Sequence, residues 1–206
     1  MMGSAHVRSS GFFEAIVIGG SAGALDALSI ILPALPAQFT IPIAIVIHVP
    51  PNRPSLLANV LGARCALRVR EVEDKEPVAT ATVFVAPPNY HLLIERQRTF
   101  ALSIDAPIHY SRPAIDALFE SAAEAYGDSL LAVMLAGANE DGARGVRRVK
   151  ELGGTVIVQE PSSTHAPEMP RAALRSASVD GVLVPAGIAE FLVEAGRRAT
   201  PPESRS

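Results

Sequence analysis

A serine set among glycines at residues 19–23 (GGSAG) follows an apolar run at 14–18 (EAIVI) and precedes a helix-like stretch at 24–32. Strand, glycine turn, serine and helix form the geometry that lifts a hydroxyl above a parallel sheet. Glycine tolerates the backbone torsions such a turn demands. A second apolar run, 41–49 (IPIAIVIHV), delivers His48 at its C-terminal end, and a third, 129–135 (SLLAVML), runs into 136–142 (AGANEDG), which carries Asp141. In an open parallel sheet those strand ends share one edge, where ligands bind. The pattern therefore predicts Ser21 as nucleophile, His48 as general base and Asp141 as the acid that fixes the imidazole. His48 Nε2 is expected to face the Ser21 hydroxyl, with Asp141 on the other ring nitrogen. Backbone N–H groups at Ala22, Ala138 and Asn139 are the candidates for an oxyanion hole.

Each of these residues also has a plainer reading. A glycine-flanked serine suits a tight turn or a phosphate cradle. His48 suits a capped strand end, and Asp141 before Gly142 suits a helix N-cap. His91, His109 and Tyr90 read as hairpin or surface residues, and His165 as an exposed loop residue. Two alternatives are disfavoured. A dinucleotide fingerprint wants an acidic residue at the end of the second strand, where this chain has His48-Val49-Pro50. The common hydrolase fold with a Gly-x-Ser-x-Gly turn runs Ser, Asp, His, whereas the order here is Ser, His, Asp. The histidines do not cluster at metal-ligand spacing, so neither a metal nor a cofactor is expected.

The elements that must position these groups alternate. Strands are expected at 15–18, 43–47, 130–135, 155–159 and 181–184. Helices are expected at 24–32, 54–62, 113–126, 142–152, 169–176 and 188–198, the first ended by Pro33. Between the second and third helices the pattern changes. Residues 66–72 alternate apolar and charged side chains, and 91–95 and 99–104 flank a polar Arg96-Gln97-Arg98 turn. These predict antiparallel strands, with a hairpin, at one sheet edge. The expected fold is a three-layer α/β sandwich, doubly wound around a mainly parallel sheet. Residues 1–13 and 197–206 are expected to be disordered, the former as a natural or cloning-derived extension, leaving one domain at 14–196.

Composition narrows the classes. The chain has 206 residues, 49% of them hydrophobic and only 5% aromatic, which suits an aliphatic α/β core. A net charge of −3 and a pI near 6.0 give no basic surface for nonspecific nucleic-acid binding. The single Cys65 excludes an internal disulfide and fits a reducing compartment, with buried packing its expected role. No apolar run is long enough to span a bilayer and no signal-peptide core is visible, so a cytoplasmic location is expected.

Six ordered motifs make the chain resemble the catalytic domain of chemotaxis protein-glutamate methylesterases. They are IGGSAG at 18–23, IHVPP at 47–51, FVAPPNYHLLI at 84–94, SRPAIDALFESAA at 111–123, LAGANEDGARG at 135–145 and QEPSSTHAPEMPRAAL at 159–174. The resemblance implies hydrolysis of glutamate methyl esters on chemoreceptor helices, with glutamine deamidation as a second activity. It matches the family triad to Ser21, His48 and Asp141. Substrate contacts are expected from Arg112, which has a helix-capping alternative, and from Met169. The mouth loops are expected at 50–54, 111–113, 138–141 and 162–170. Methylated receptor helices are the expected partner. A phospho-receiver domain, common in the family, does not fit before residue 14, so receiver control in trans is an open possibility. The family's Gly-Met-Gly-x-Asp-Gly loop reads Gly137-Ala138-Asn139-Glu140-Asp141-Gly142 here, and Ala24 replaces a glycine. Asn139 is expected to take up the left-handed torsion that a glycine would adopt. These departures keep two alternatives open: a low-activity binding module and a broad small-ester carboxylesterase.

Overall fold

A computed structural model describes residues 12–48 and 56–199. Seven strands form one sheet: β1 (Ala15–Gly20), β2 (Ile43–Ile47), β3 (Arg68–Glu71), β4 (Thr82–Val85), β7 (Leu130–Met134), β8 (Thr155–Gln159) and β9 (Gly181–Leu183). Their order is β3-β4-β2-β1-β7-β8-β9, and every pairing is parallel. Helices cover both faces, so the central strands are apolar on both sides, as buried parallel strands require. All residues of β1, β2 and β7 are buried.

The two faces carry separate cores. Ile16 and Ile18 pack with α1 (Ala24–Ala34) and α6 (Pro185–Ala199), whereas Ala15 and Val17 pack with α3 (Ile115–Tyr126) and α4 (Ala143–Glu151). In α3, Leu118, Phe119 and Ala122 are fully buried. Truncating Phe119 to Ala should cost about 3–5 kcal/mol. Two further helices complete the layers: α2 (Leu57–Gly62) and α5 (Glu168–Ser176).

This topology places a crevice at the carboxyl edge. From β1 the chain passes through α1 on one face to β2. From neighbouring β7 it passes through α4 on the other face to β8. The two connections diverge, which is the switch point where such sheets bind ligands.

Several boundaries differ from the sequence reading. The hairpin, β5 (His91–Ile94) with β6 (Phe100–Ser103), is antiparallel as expected but forms its own two-stranded sheet packed against α3. The alternating segment at 66–72 yields β3, which joins the main sheet parallel to β4. Pro33 lies inside α1 because the buried Leu32 and Leu35 draw one more turn onto the core. Phe13, expected in a disordered segment, is 2% exposed and meets the Phe191 ring at a tilt, so the folded chain begins before residue 14. Likewise α6, expected at 188–198, runs from Pro185 to Ala199, so helix continues into the 197–199 stretch expected to be disordered. The expected starts of the second helix (54–55) and the 50–54 mouth loop lie outside the described residues, as do 1–11 and 200–206. Cys65 is half-buried beside Leu32 O, and burial pushes its thiol up in pKa, the behaviour of a packing cysteine. No described helix is long and apolar enough to cross a membrane.

Candidate active site

Ser21 and His48 extend two paired strands by one residue. Gly20 is in register with Ile47, and the His48 N–H donates to Gly20 O at 3.2 Å. The two side chains therefore leave neighbouring positions at the same edge. Ser21 is held from the other side by its own N–H, which donates to Ala136 O at the end of β7 (2.8 Å). That bond removes the Ser21 N–H from any oxyanion hole and leaves the Ala22 N–H as the candidate on this side. The left-handed residue of the turn is not Ser21 but Gly23, with φ +81, which starts α1 and needs no Cβ.

Asp141 is completely buried. Its Oδ2 accepts from His48 Nε2 at 2.7 Å and from the Ile115 N–H at 2.7 Å, and its Oδ1 accepts from the Asp116 N–H at 3.0 Å. Those two amides begin α3, whose own N-cap residue, Ala114, offers no side-chain cap. The carboxylate thus caps a twelve-residue helix from another segment of the chain, where the helix dipole favours negative charge. Burial works against its ionisation, but the His48 hydrogen bond and the two backbone donors outweigh it and hold its pKa below the ordinary carboxylate value.

The imidazole is turned the other way from the expected arrangement. Nε2, not Nδ1, meets Asp141. With the Nε2–H donating to the carboxylate, the ring's lone pair is at Nδ1. There it meets Ser111 Oγ, at 3.4 Å. No hydrogen bond from Ser21 Oγ occurs among the described residues. Unliganded hydrolases commonly hold this contact long.

The loop after β7 is fixed from below. Buried Gln159 accepts from the Ala136 N–H at 2.9 Å through Oε1. The Gly137 N–H donates to Ala166 O (2.9 Å), and Gly137 O accepts from the Met169 N–H (3.0 Å). Met169, expected as a substrate contact, is 1% exposed and packs under Gly137, where it supports the loop instead of lining the mouth. Asn139 is not among the residues with positive φ. Its side chain accepts from the Asp141 N–H at 3.2 Å, an Asx turn that aims the acid. Ala138 is exposed at the rim, and its N–H and that of Asn139 stay candidates for stabilising an oxyanion.

Arg112 also takes a structural position. Its Nη1 donates to Ile104 O (2.7 Å) and Asp105 O (3.0 Å), strapping the end of β6 to the segment before α3. His91, buried, bridges the same region: its Nδ1 accepts from the Ala114 N–H at 3.2 Å, and its Nε2 lies 3.1 Å from Ala106 O. His165 is exposed and lines a cleft of about 440 Å³ that opens beside Ala22 and Gly23. Sequence reasoning missed Ser111, Asp116 and Gln159 as supports. Only a buried polar residue at a strand end, as in Gln159, offered a signal. No group of three metal-ligating side chains occurs among the described residues.

Comparison with known proteins agrees with this fold. A family model described as CheB methylesterase matches residues 16–192. A protein from Leptospira interrogans, provisionally named protein-glutamate methylesterase/protein-glutamine glutaminase, is 48% identical over 181 residues, covering 88% of this chain and 94% of its own. The protein-glutamate methylesterase/protein-glutamine glutaminase of Thermotoga maritima is 37% identical over 182 residues, covering 87% of this chain and 53% of its own. The crystal structure of the Thermotoga maritima CheB methylesterase catalytic domain aligns with a TM-score of 0.85 at 36% identity, covering 88% of this chain and 98% of that one.

Proposed function

The chain belongs to the CheB methylesterase family, and from that premise we propose that it hydrolyses glutamate methyl esters on chemoreceptor helices with Ser21, His48 and Asp141. The observation that carries the reading is the 2.7 Å bond from His48 to the buried Asp141, on a histidine set beside Ser21 at the sheet's switch point.

In this reading Ser21 Oγ attacks the ester carbonyl carbon while His48 Nδ1 takes the hydroxyl proton. The imidazolium so formed is stabilised by Asp141 through Nε2–H. The oxyanion gains hydrogen bonds from backbone N–H groups at Ala22 and in the 138–139 turn. Collapse expels methoxide, which receives the proton from Nδ1 and leaves as methanol. Water then attacks the glutamyl-serine ester, giving its proton to Nδ1. The glutamate carboxylate departs and Ser21 regains its hydrogen. A glutamine side chain follows the same path with ammonia as the leaving group, which the relatives' second activity name supports. No step needs a metal or cofactor. Action on receptor helices requires the enzyme to work at the cytoplasmic side of the membrane. Control by a receiver domain acting in trans belongs to the same proposal.

The test is methanol release from a methylated receptor cytoplasmic fragment. Wild type should turn over steadily and react covalently with a serine-directed phosphonate. Ser21→Ala should lose the label and on the order of ten-thousand-fold in kcat. Undiminished turnover in that variant would remove Ser21 from the mechanism.

A further inference from the structure

The segment that touches the lone-pair side of His48 is a two-residue turn. Ile108 and Ser111 exchange both backbone hydrogen bonds, at 3.1 and 2.8 Å. The two residues between them, His109 and Tyr110, hold φ values of +47° and +61°. Consecutive left-handed residues define the turn type that favours Asn-Gly, and here it is built from two residues with large side chains. Non-glycine residues keep such torsions only where the surroundings over-determine them, and such sites cluster where function needs the shape. The surroundings are present: Arg112 straps the base of the turn to Ile104 O and Asp105 O, and Ser111 Oγ sits 3.4 Å from His48 Nδ1.

The geometry has one outward consequence. Tyr110 is fully exposed, while its chain neighbour Ser111 reaches the catalytic imidazole. The fold therefore holds a strained turn whose inner end contacts His48 and whose tip presents a bare aromatic ring to solvent. We propose that Tyr110 is a selectivity residue that packs against the helix carrying the ester, so that the enzyme prefers a protein-borne glutamyl ester over a small one. This inference rests on the methylesterase reading. A glutamyl ester is attached to a helix too wide to enter the crevice. When the ester carbonyl reaches Ser21, the helix surface must lie over the rim beside His48, where the Tyr110 ring stands. A tyrosine suits that contact: its ring offers a large amphipathic face with only two torsions to immobilise. A small ester reaches Ser21 without meeting the ring.

The experiment compares kcat/KM for a methylated receptor fragment with kcat/KM for a small activated acyl ester. It uses wild type and the variants Tyr110→Gly, Tyr110→Asn and Tyr110→Phe. Gly and Asn both accept the left-handed torsion, so they remove the ring while keeping the turn. The ratio of receptor to small-ester kcat/KM should fall about tenfold or more in both, the size expected for losing a buried aromatic anchor, and should stay near wild type in Tyr110→Phe. An unchanged ratio in Tyr110→Gly overturns the inference while leaving the methylesterase reading intact. Equal loss on both substrates also overturns it, because the turn then acts only by positioning His48. A wild-type enzyme that hydrolyses the small ester but releases no methanol from the receptor fragment overturns the methylesterase reading and this inference together.

Discussion

Asp141 and Asp116 cap each other's helices. Asp141 Oδ1 accepts from the Asp116 N–H at the start of α3 (3.0 Å), and Asp116 Oδ1 accepts from the Gly145 N–H at the start of α4 (2.7 Å), the helix that follows Asp141. Both side chains are fully buried, so neither bond is shared with solvent. The acid of the proposed triad is therefore also a structural joint between two packed helices, and its removal has two separable effects.

Asp141→Ala should strand three donors, His48 Nε2–H and the amides of Ile115 and Asp116. Each buried donor left without a partner costs about 1–3 kcal/mol. The variant should therefore lose both turnover and several kcal/mol of stability in urea denaturation. Asp141→Asn keeps one acceptor oxygen, enough for the Asp116 amide, while its –NH2 takes the place of Oδ2 and presents a donor to both His48 and the Ile115 N–H. It should lose on the order of ten-thousand-fold in kcat with a smaller stability loss than Asp141→Ala. Equal destabilisation by both substitutions would argue against the joint.

The two carboxyls should respond oppositely to pH. Asp141 is held below its ordinary pKa, because His48 and the helix amides outweigh burial. Its stabilising contribution is present above the unfolded pKa of about 3.9 and is lost as pH falls through the lower folded value. Asp116 is raised: burial comes first and the charge of Asp141 adds to it, against the Gly145 hydrogen bond and Arg144. Its Oδ2 is buried with no hydrogen-bond partner. Ionisation of Asp116 thus penalises the fold, a penalty absent below the unfolded pKa and complete above the raised folded one. Across about pH 3 to 7, Asp116→Asn should gain stability relative to wild type as pH rises, and Asp141→Asn should lose it. Parallel trends in the two urea series would refute the opposed shifts.

Gly137 lies against Met169 so closely that an added Cβ would meet Met169 Cε and Sδ at 2.6 Å and its Cβ at 2.9 Å. The terminal atoms can swing aside, but the Met169 Cβ belongs to a helix start and moves only with its backbone. Gly137→Ala should push the 137–141 loop outward and lower kcat about a hundredfold, the scale of an oxyanion donor moved out of place. Adding Met169→Gly should restore much of the loss, since the Cβ that cannot move is then removed along with the terminal atoms. A double variant no better than Gly137→Ala alone would show that the steric relation is not what sets the loop.

What could be read in the sequence depended on how local its cause was. The strands that present Ser21, His48 and Asp141 are buried on both faces, so their apolar runs announced them, and a parallel sheet then required their ends to share an edge. The alternating segment at 66–72 suggested an antiparallel edge, but alternation reports one exposed face, not strand direction. Arg70 meets that exposure by lying over the Phe84 ring at 4.7 Å in the parallel neighbour. The ring orientation of His48 was illegible because it is chosen by Asp141, ninety-three positions away. Asn139 was read through its backbone tolerance, whereas its side chain forms the turn. The left-handed torsions of His109 and Tyr110 had little signal: histidine adopts them more often than most residues, but tyrosine does not favour them.

Arg112 offers the last test, because its two readings separate cleanly. As a receptor contact, its charge would act on the protein substrate alone. As a strap, it holds Ile104 O and Asp105 O through Nη1, and with them the turn whose Ser111 touches His48. The strap predicts that Arg112→Ala frees the turn, so that the Ile108 and Ser111 amides, now bonded across it, exchange faster with solvent deuterium. Turnover of a small ester and of a receptor fragment should then fall by the same factor, because both need His48 aligned. Arg112→Lys keeps one cationic donor but not the planar fork, and should fall between wild type and Arg112→Ala on both substrates. A loss confined to the receptor fragment, with the two amides still protected, would return Arg112 to the role of a receptor contact.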